Sequence, residues 1–88
     1  MRYFFNLAGA VYDPDKEGHD LETISIARLM AAKLSAEMLQ DRPELAWLGE
    51  EFRVEVTDEN QLLLFTIITL GVDSAAGGLL NEARSRDD

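Results

Sequence analysis

Apolar and polar positions alternate over residues 2–8, with Tyr3, Phe5 and Leu7 on one side and Phe4 with Asn6 on the other. A period of two is the repeat of a β-strand, and the aromatic content fits one. Gly9 and the run Asp13-Pro14-Asp15-Lys16-Glu17-Gly18 are turn chemistry, because proline fixes φ and glycine accepts positive φ. A short second strand is predicted at Ala10–Tyr12 or at His19–Leu21. The period then changes. Thr23 is a natural helix N-cap, and helical spacing runs from Ile24 to about Gln40. Ile24, Ala27, Ala31, Leu34 and Met38 form one stripe, with Met30 at its border, so Leu34 is expected deep in the core. Ile26 and Leu29 lie away from the stripe, where a monomer usually carries polar groups. Pro43 bars continuation, and Trp47-Leu48-Gly49 is an apolar connection.

Residues 51–57 alternate cleanly, with Phe52, Val54 and Val56 on one face and Glu51, Arg53, Glu55 and Thr57 on the other. Asp58-Glu59-Asn60-Gln61 reads as a hairpin turn into a second apolar strand. Pairing Thr57 with Leu62 sets Val56 opposite Leu63, Val54 opposite Phe65 and Phe52 opposite Ile67, which makes one face wholly apolar. The other face then holds Leu62, Leu64, Ile68 and Leu70 beside the charged residues, a surface that needs a cover. The last segment contains Gly77-Gly78, and paired glycines weaken a helix.

These elements predict an α+β fold in β-β-α-β-β order: an antiparallel sheet of three to four strands with one long helix on one face. Residues 1–73 form the domain, and 74–88 a flexible tail or short C-terminal helix.

Charge narrows the partners. The 88 residues hold 17 acidic and 8 basic side chains, a net charge of −9, which repels phosphate backbones and argues against nucleic acid. A basic protein partner is compatible with it. There is no cysteine, so neither disulfides nor thiolate metal sites reinforce the small core. The opening residues imitate a signal peptide, but Asn6 interrupts the apolar run. No segment approaches the ~20 apolar residues of a membrane span. A cytoplasmic setting is expected.

Candidate chemistry is sparse. Asp13, Asp15, Glu17 and Gly18 match the first ligand positions of a calcium loop, but Ile24 stands where the loop needs a bidentate glutamate. The stretch 13–22 is therefore expected to be a solvated acidic turn, with Asp13→Asn and Asp15→Asn nearly neutral. His19 is the lone histidine, too few parts for a triad or zinc site. Gly77-Gly78 lacks the lysine of a phosphate loop, and Trp47 is expected to cap the core rather than anchor an interface. No catalytic residue, cofactor or metal ligand is assigned.

The opening Arg2-Tyr3-Phe4-Phe5-Asn6-Leu7, the turn Asp15-Lys16-Glu17-Gly18, an alanine-rich helix after Leu21, and Val54-Glu55-Val56-Thr57-Asp58-Glu59 together resemble a family of small bacterial domains of unknown function. The resemblance spans about residues 2–73 and implies an α+β fold and a bacterial source, with no activity. Members often carry histidine where this chain has Asn6. The element order is also similar to the small domain of HicB-type antitoxins, which bind a basic toxin. That likeness is one of topology, and no counterpart of the DNA-binding segment such antitoxins append is expected within these 88 residues.

The resulting expectation is a non-enzymatic module that binds another protein or itself, as a homodimer, through Leu62, Leu64, Ile68 and Leu70 on the sheet or Ile26 and Leu29 on the helix. The alternative is a small metal- or ligand-binding protein or enzyme using the acidic loop 13–22.

Overall fold

The computed structural model describes residues 1–80. Four strands form one antiparallel sheet: β1 (Arg2–Gly9), β2 (His19–Asp20), β3 (Phe52–Thr57) and β4 (Leu63–Thr69), in the spatial order β2-β1-β3-β4. The long helix α1 (Ile24–Asp41) follows β2, and a 3-10 helix (Pro43–Trp47) leads into β3. The α+β reading and its element order therefore hold. Residues 75–80 form a further short helical segment. The rest of the predicted tail, 81–88, lies outside the described residues.

One sheet face packs under α1. Phe52, Val54 and Val56 are fully buried there, with Tyr3, Phe5 and Leu7 beside them on β1. Leu45 of the 3-10 helix, also fully buried, closes the end of this layer. Thr23 caps α1 as predicted, its hydroxyl accepting from the Ile26 amide at 3.2 Å.

The expected stripe does face inward, with Ile24, Met30, Leu34 and Met38 half-buried against the core, but its deepest positions are not those expected. The buried positions of α1 are Ala27, Ala31 and Ser35, and the Ser35 hydroxyl is satisfied by the Ala31 carbonyl at 2.9 Å. Leu34 is only half-buried. The sheet supplies the bulk of the layer through Tyr3, Phe5 and Phe52, so the helix meets it with small side chains. Spaced four apart, these let the backbone come close. Leu34 moves to the flank, where it lines two grooves with Phe5 and His19. Leu34→Ala should therefore cost about 1–2 kcal/mol, below the usual range for a fully buried leucine. Urea unfolding of the variant checks this.

The hairpin keeps the predicted faces but not the predicted register. Val56 pairs with Phe65, Val54 with Ile67 and Phe52 with Thr69, each two residues further along β4 than expected. The cause is local. Asp58 closes a three-residue loop: its amide donates to the Leu62 carbonyl, and its side-chain Oδ1 accepts from the amides of Asn60 and Leu62. Gln61 takes φ 65°, the left-handed residue such a loop needs. The ladder then slips between Val56 and Thr57, where Thr57 faces Leu63 and Leu64 is the extra residue of a β-bulge.

That bulge overturns one assignment. Leu64 packs against the core, whereas Leu63, opposite Thr57, takes the outer position and is 52% exposed. Trp47 is corrected too. It does not cap the core but is 61% exposed, its ring lying flat against Gly71. A Cβ at Gly71 would stand 2.7 Å from the indole, and the Gly71 amide donates to the Ala46 carbonyl. Trp47 thus pins the chain just beyond β4, and Leu45 does the capping.

Candidate functional site

The outer face of the sheet divides into a polar half and an apolar half. On β3, Arg53 bridges Glu51 at 2.7 Å and Glu55 at 3.1 Å, which is how three charges share one strand face. Its own backbone amide first, and Arg53 second, hold the Glu51 carboxyl below its ordinary value. The Glu51 side chain in turn raises Arg53. On the β1 side, Asn6 donates through Nδ2 to the Glu55 carbonyl and to the Thr57 hydroxyl.

Asn6 leads to the feature that sequence reasoning missed. Its Oδ1 accepts from the Asp15 amide at 2.9 Å, and Asp15 is the hub of the loop after β1. The Oδ2 of Asp15 accepts from the Phe5 amide, and its Oδ1 from the amides of Glu17 and Gly18. Burial pushes the Asp15 carboxyl up, but those three amide hydrogen bonds and the nearby His19 outweigh it, so the net shift is downward. Gly18 completes the clasp at φ 73°, where a Cβ would press on the Phe4 ring and the Arg2 stem. The loop is therefore not a solvated acidic turn at Asp15. The sequence signal was an asparagine interrupting an apolar strand, followed by an aspartate three residues before a glycine.

This clasp also answers the calcium-loop pattern. Both oxygens of Asp15 are occupied by N–H donors, which leaves Asp13 and Glu17 without the central ligand of the motif. Among the described residues no group of three or more histidine, aspartate or glutamate side chains stands together as metal ligands would. His19 is exposed on β2, its ring edge-on to Phe5 at 5.6 Å. An open groove of about 450 Å³ lies between the clasp and the hairpin, floored by Phe4, Asn6, Glu55 and Thr57. Its polar floor is already engaged in the bonds described, and among the described residues no buried side-chain nitrogen or oxygen lacks a partner.

The apolar half lies on β4. Leu63 stands opposite Thr57 and Ile68 opposite Arg53, both on the outer face. Leu62, Leu63, Ile68 and Leu70 are each more than half exposed. Of the predicted sheet residues, Leu62, Ile68 and Leu70 are thus accessible and Leu64 is not, with Leu63 in its place. On α1, Leu29 is 74% and Ile26 43% exposed, across the layer from the β4 surface.

Two kinds of edge bound the sheet. Beside β1, the two-residue β2 covers Arg2 and Tyr3, the Asp15 carboxylate takes the Phe5 amide, and Leu7 exchanges both backbone bonds with Asp13. That edge is closed. Beside β3, β4 ends the sheet order among the described residues, with seven residues, none of them charged.

Among the described residues no helix is long and apolar enough to cross a membrane. A model of the family described as Domain of unknown function (DUF6894) matches residues 2–71, and the chain belongs to that family. No curated protein and no solved structure matches it.

Proposed function

We propose that this family member works without catalysis in the bacterial cytoplasm, as a self-associating module that joins two copies through the β4 side of its sheet. One observation carries the reading. Residues 60–72 contain no charged side chain in a chain of net charge −9, and within them Leu62, Leu63, Ile68 and Leu70 are left exposed. Together they expose roughly a few hundred Å² of aliphatic surface, the size of the largest apolar patch on a typical monomer, which is often functional. Two strongly acidic copies can meet there without setting like charges face to face, with Glu51 and Glu55 held at the rim by Arg53. A twofold arrangement sets the patch of one copy beside the same patch of the other. The acidic-loop alternative is weaker, because Asp15 is engaged by the backbone.

Sedimentation of two variants tests the reading. Ile68→Glu introduces a carboxylate into the contact and should raise the dissociation constant about tenfold or more while the circular dichroism spectrum stays native. Leu29→Glu should sediment like the parent. The reverse pattern would move the contact to the outer face of α1. The Leu64→Glu substitution suggested by the alternation alone is unsuitable, since Leu64 packs on the core. Association of the parent should also strengthen from low to moderate salt, because long-range repulsion between the copies is screened.

A further inference from the structure

The backbone of β4 specifies how the two copies join. In an antiparallel ladder, successive residue pairs alternate between exchanging hydrogen bonds and facing away. The Ala10 amide donates to the Glu51 carbonyl at 3.1 Å, directly beyond the last β1–β3 pair, Gly9 with Phe52. Glu51, Arg53 and Glu55 therefore bond toward β1, and Phe52, Val54 and Val56 bond toward β4. The far side of β1 agrees, since Phe5 and Leu7, the partners of Val56 and Val54, donate away from β3 to Asp15 and Asp13. On β4, Phe65 and Ile67 stand opposite Val56 and Val54 and are bonded inward. Thr66 and Ile68 stand opposite Glu55 and Arg53, so their N–H and C=O groups turn to the edge that no described strand covers.

We infer that this edge is the pairing site for β4 of a second copy, antiparallel, giving one continuous sheet across a twofold axis beside Ile67. The inference rests on the self-association proposed above and names its mode. Three observations select this occupant. The edge carries no charge to repel its own copy, although the chain as a whole is at −9. The bulge at Leu64 leaves Phe65–Thr69 as the regular stretch, and in an arrangement centred on Ile67 the outward groups of Thr66 meet those of Ile68 of the second copy. The opposite edge is closed by β2, Asp13 and Asp15, so copies cannot add head to tail, and β4 against β4 ends the assembly at two. In this arrangement Ile68 of each copy comes to lie beside Thr66 of the other on the outer face, partly covering the exposed aliphatic surface.

Amide hydrogen exchange read by NMR, alongside sedimentation of the same samples, tests the mode. The Thr66 and Ile68 amides should exchange as open groups at low concentration and about tenfold more slowly once about nine-tenths of the chains are paired. The Phe65 and Ile67 amides, bonded to β3 in either state, should be slow throughout and serve as the internal reference. A dimer in which Thr66 and Ile68 remain unprotected would overturn the edge pairing and leave self-association through side chains standing. A chain that stays single at every concentration would overturn both. Protection of Thr66 and Ile68 in a chain that sediments as a monomer would also overturn it, because the edge would then be covered from within.

Discussion

Phe52→Ala should lower the unfolding free energy by about 3–5 kcal/mol, the range for emptying a fully buried phenylalanine site. Phe52 is the largest completely buried side chain among the described residues and lies in the layer between the sheet and α1. Ala27 and Ala31 have no longer side chain to extend into the space left behind, so little collapse is available to offset the cavity. For a chain of 88 residues, whose total stability is expected at roughly 4–13 kcal/mol, this is a large fraction. The melting temperature followed by circular dichroism should fall by about 15 °C or more. A loss under about 1 kcal/mol would mean that the layer is not packed around Phe52.

Asp15→Ala should cost about 2–4 kcal/mol, since it strips the acceptor from three backbone amides at once, one of them on the edge of β1. Asp15→Asn should not be neutral either. A carboxylate offers two acceptor oxygens and an amide only one, so the asparagine NH2 would face either the Phe5 amide or those of Glu17 and Gly18. The sign with pH follows from the depressed carboxyl. A group whose folded value lies below its unfolded one stabilises fully above the ordinary aspartate value of 3.8 and loses that contribution as pH falls through the folded value. The parent should therefore lose part of its stability below about pH 4, and Asp15→Ala should lose less over the same range. Urea titrations of both proteins at several acid pH values check this, and equal losses would remove Asp15 from the acid response.

Much of the architecture is legible in the sequence because it is written locally. The alternation in 2–8 and 51–57, the threonine cap at residue 23 and the proline at residue 43 each fix an element without reference to the rest of the chain. Three features depend on neighbours and escape such a reading. Shifting β4 by two residues preserves every face, so the alternation could not distinguish the predicted hairpin register from the observed one. The bulge that exchanges Leu63 and Leu64 arises where the Asp58 loop meets the ladder. The phase of α1 is set by crowding from the aromatic sheet, which favours alanine and serine at the contact, whereas a count of hydrophobic side chains favours Leu34. Asp15 is hidden for a related reason, because its amide partners include Phe5, ten residues earlier on a strand edge that exists only after folding.

The candidate surface was partly legible. The apolar surplus on β4 and on α1 stands out in the sequence, and the exposed Ile26, Leu29, Leu62, Ile68 and Leu70 match it. The sequence could not reveal that β4 ends the sheet, because strand order is a property of the whole fold. With β4 in the middle, its backbone would be paired on both sides and would offer no edge. Its place at the edge, and the closure of the other edge by the Asp15 clasp, are what the proposed pairing of two copies rests on.

Sedimentation equilibrium of the unmodified protein, from micromolar to millimolar concentration at moderate salt, measures the central claim most directly. The account predicts a weight-average mass that rises from the 9.8 kDa of one chain to twice that value and stops there, as a closed pair requires. A mass that holds at one chain up to millimolar concentration would contradict it, and so would one that climbs beyond two chains without a plateau.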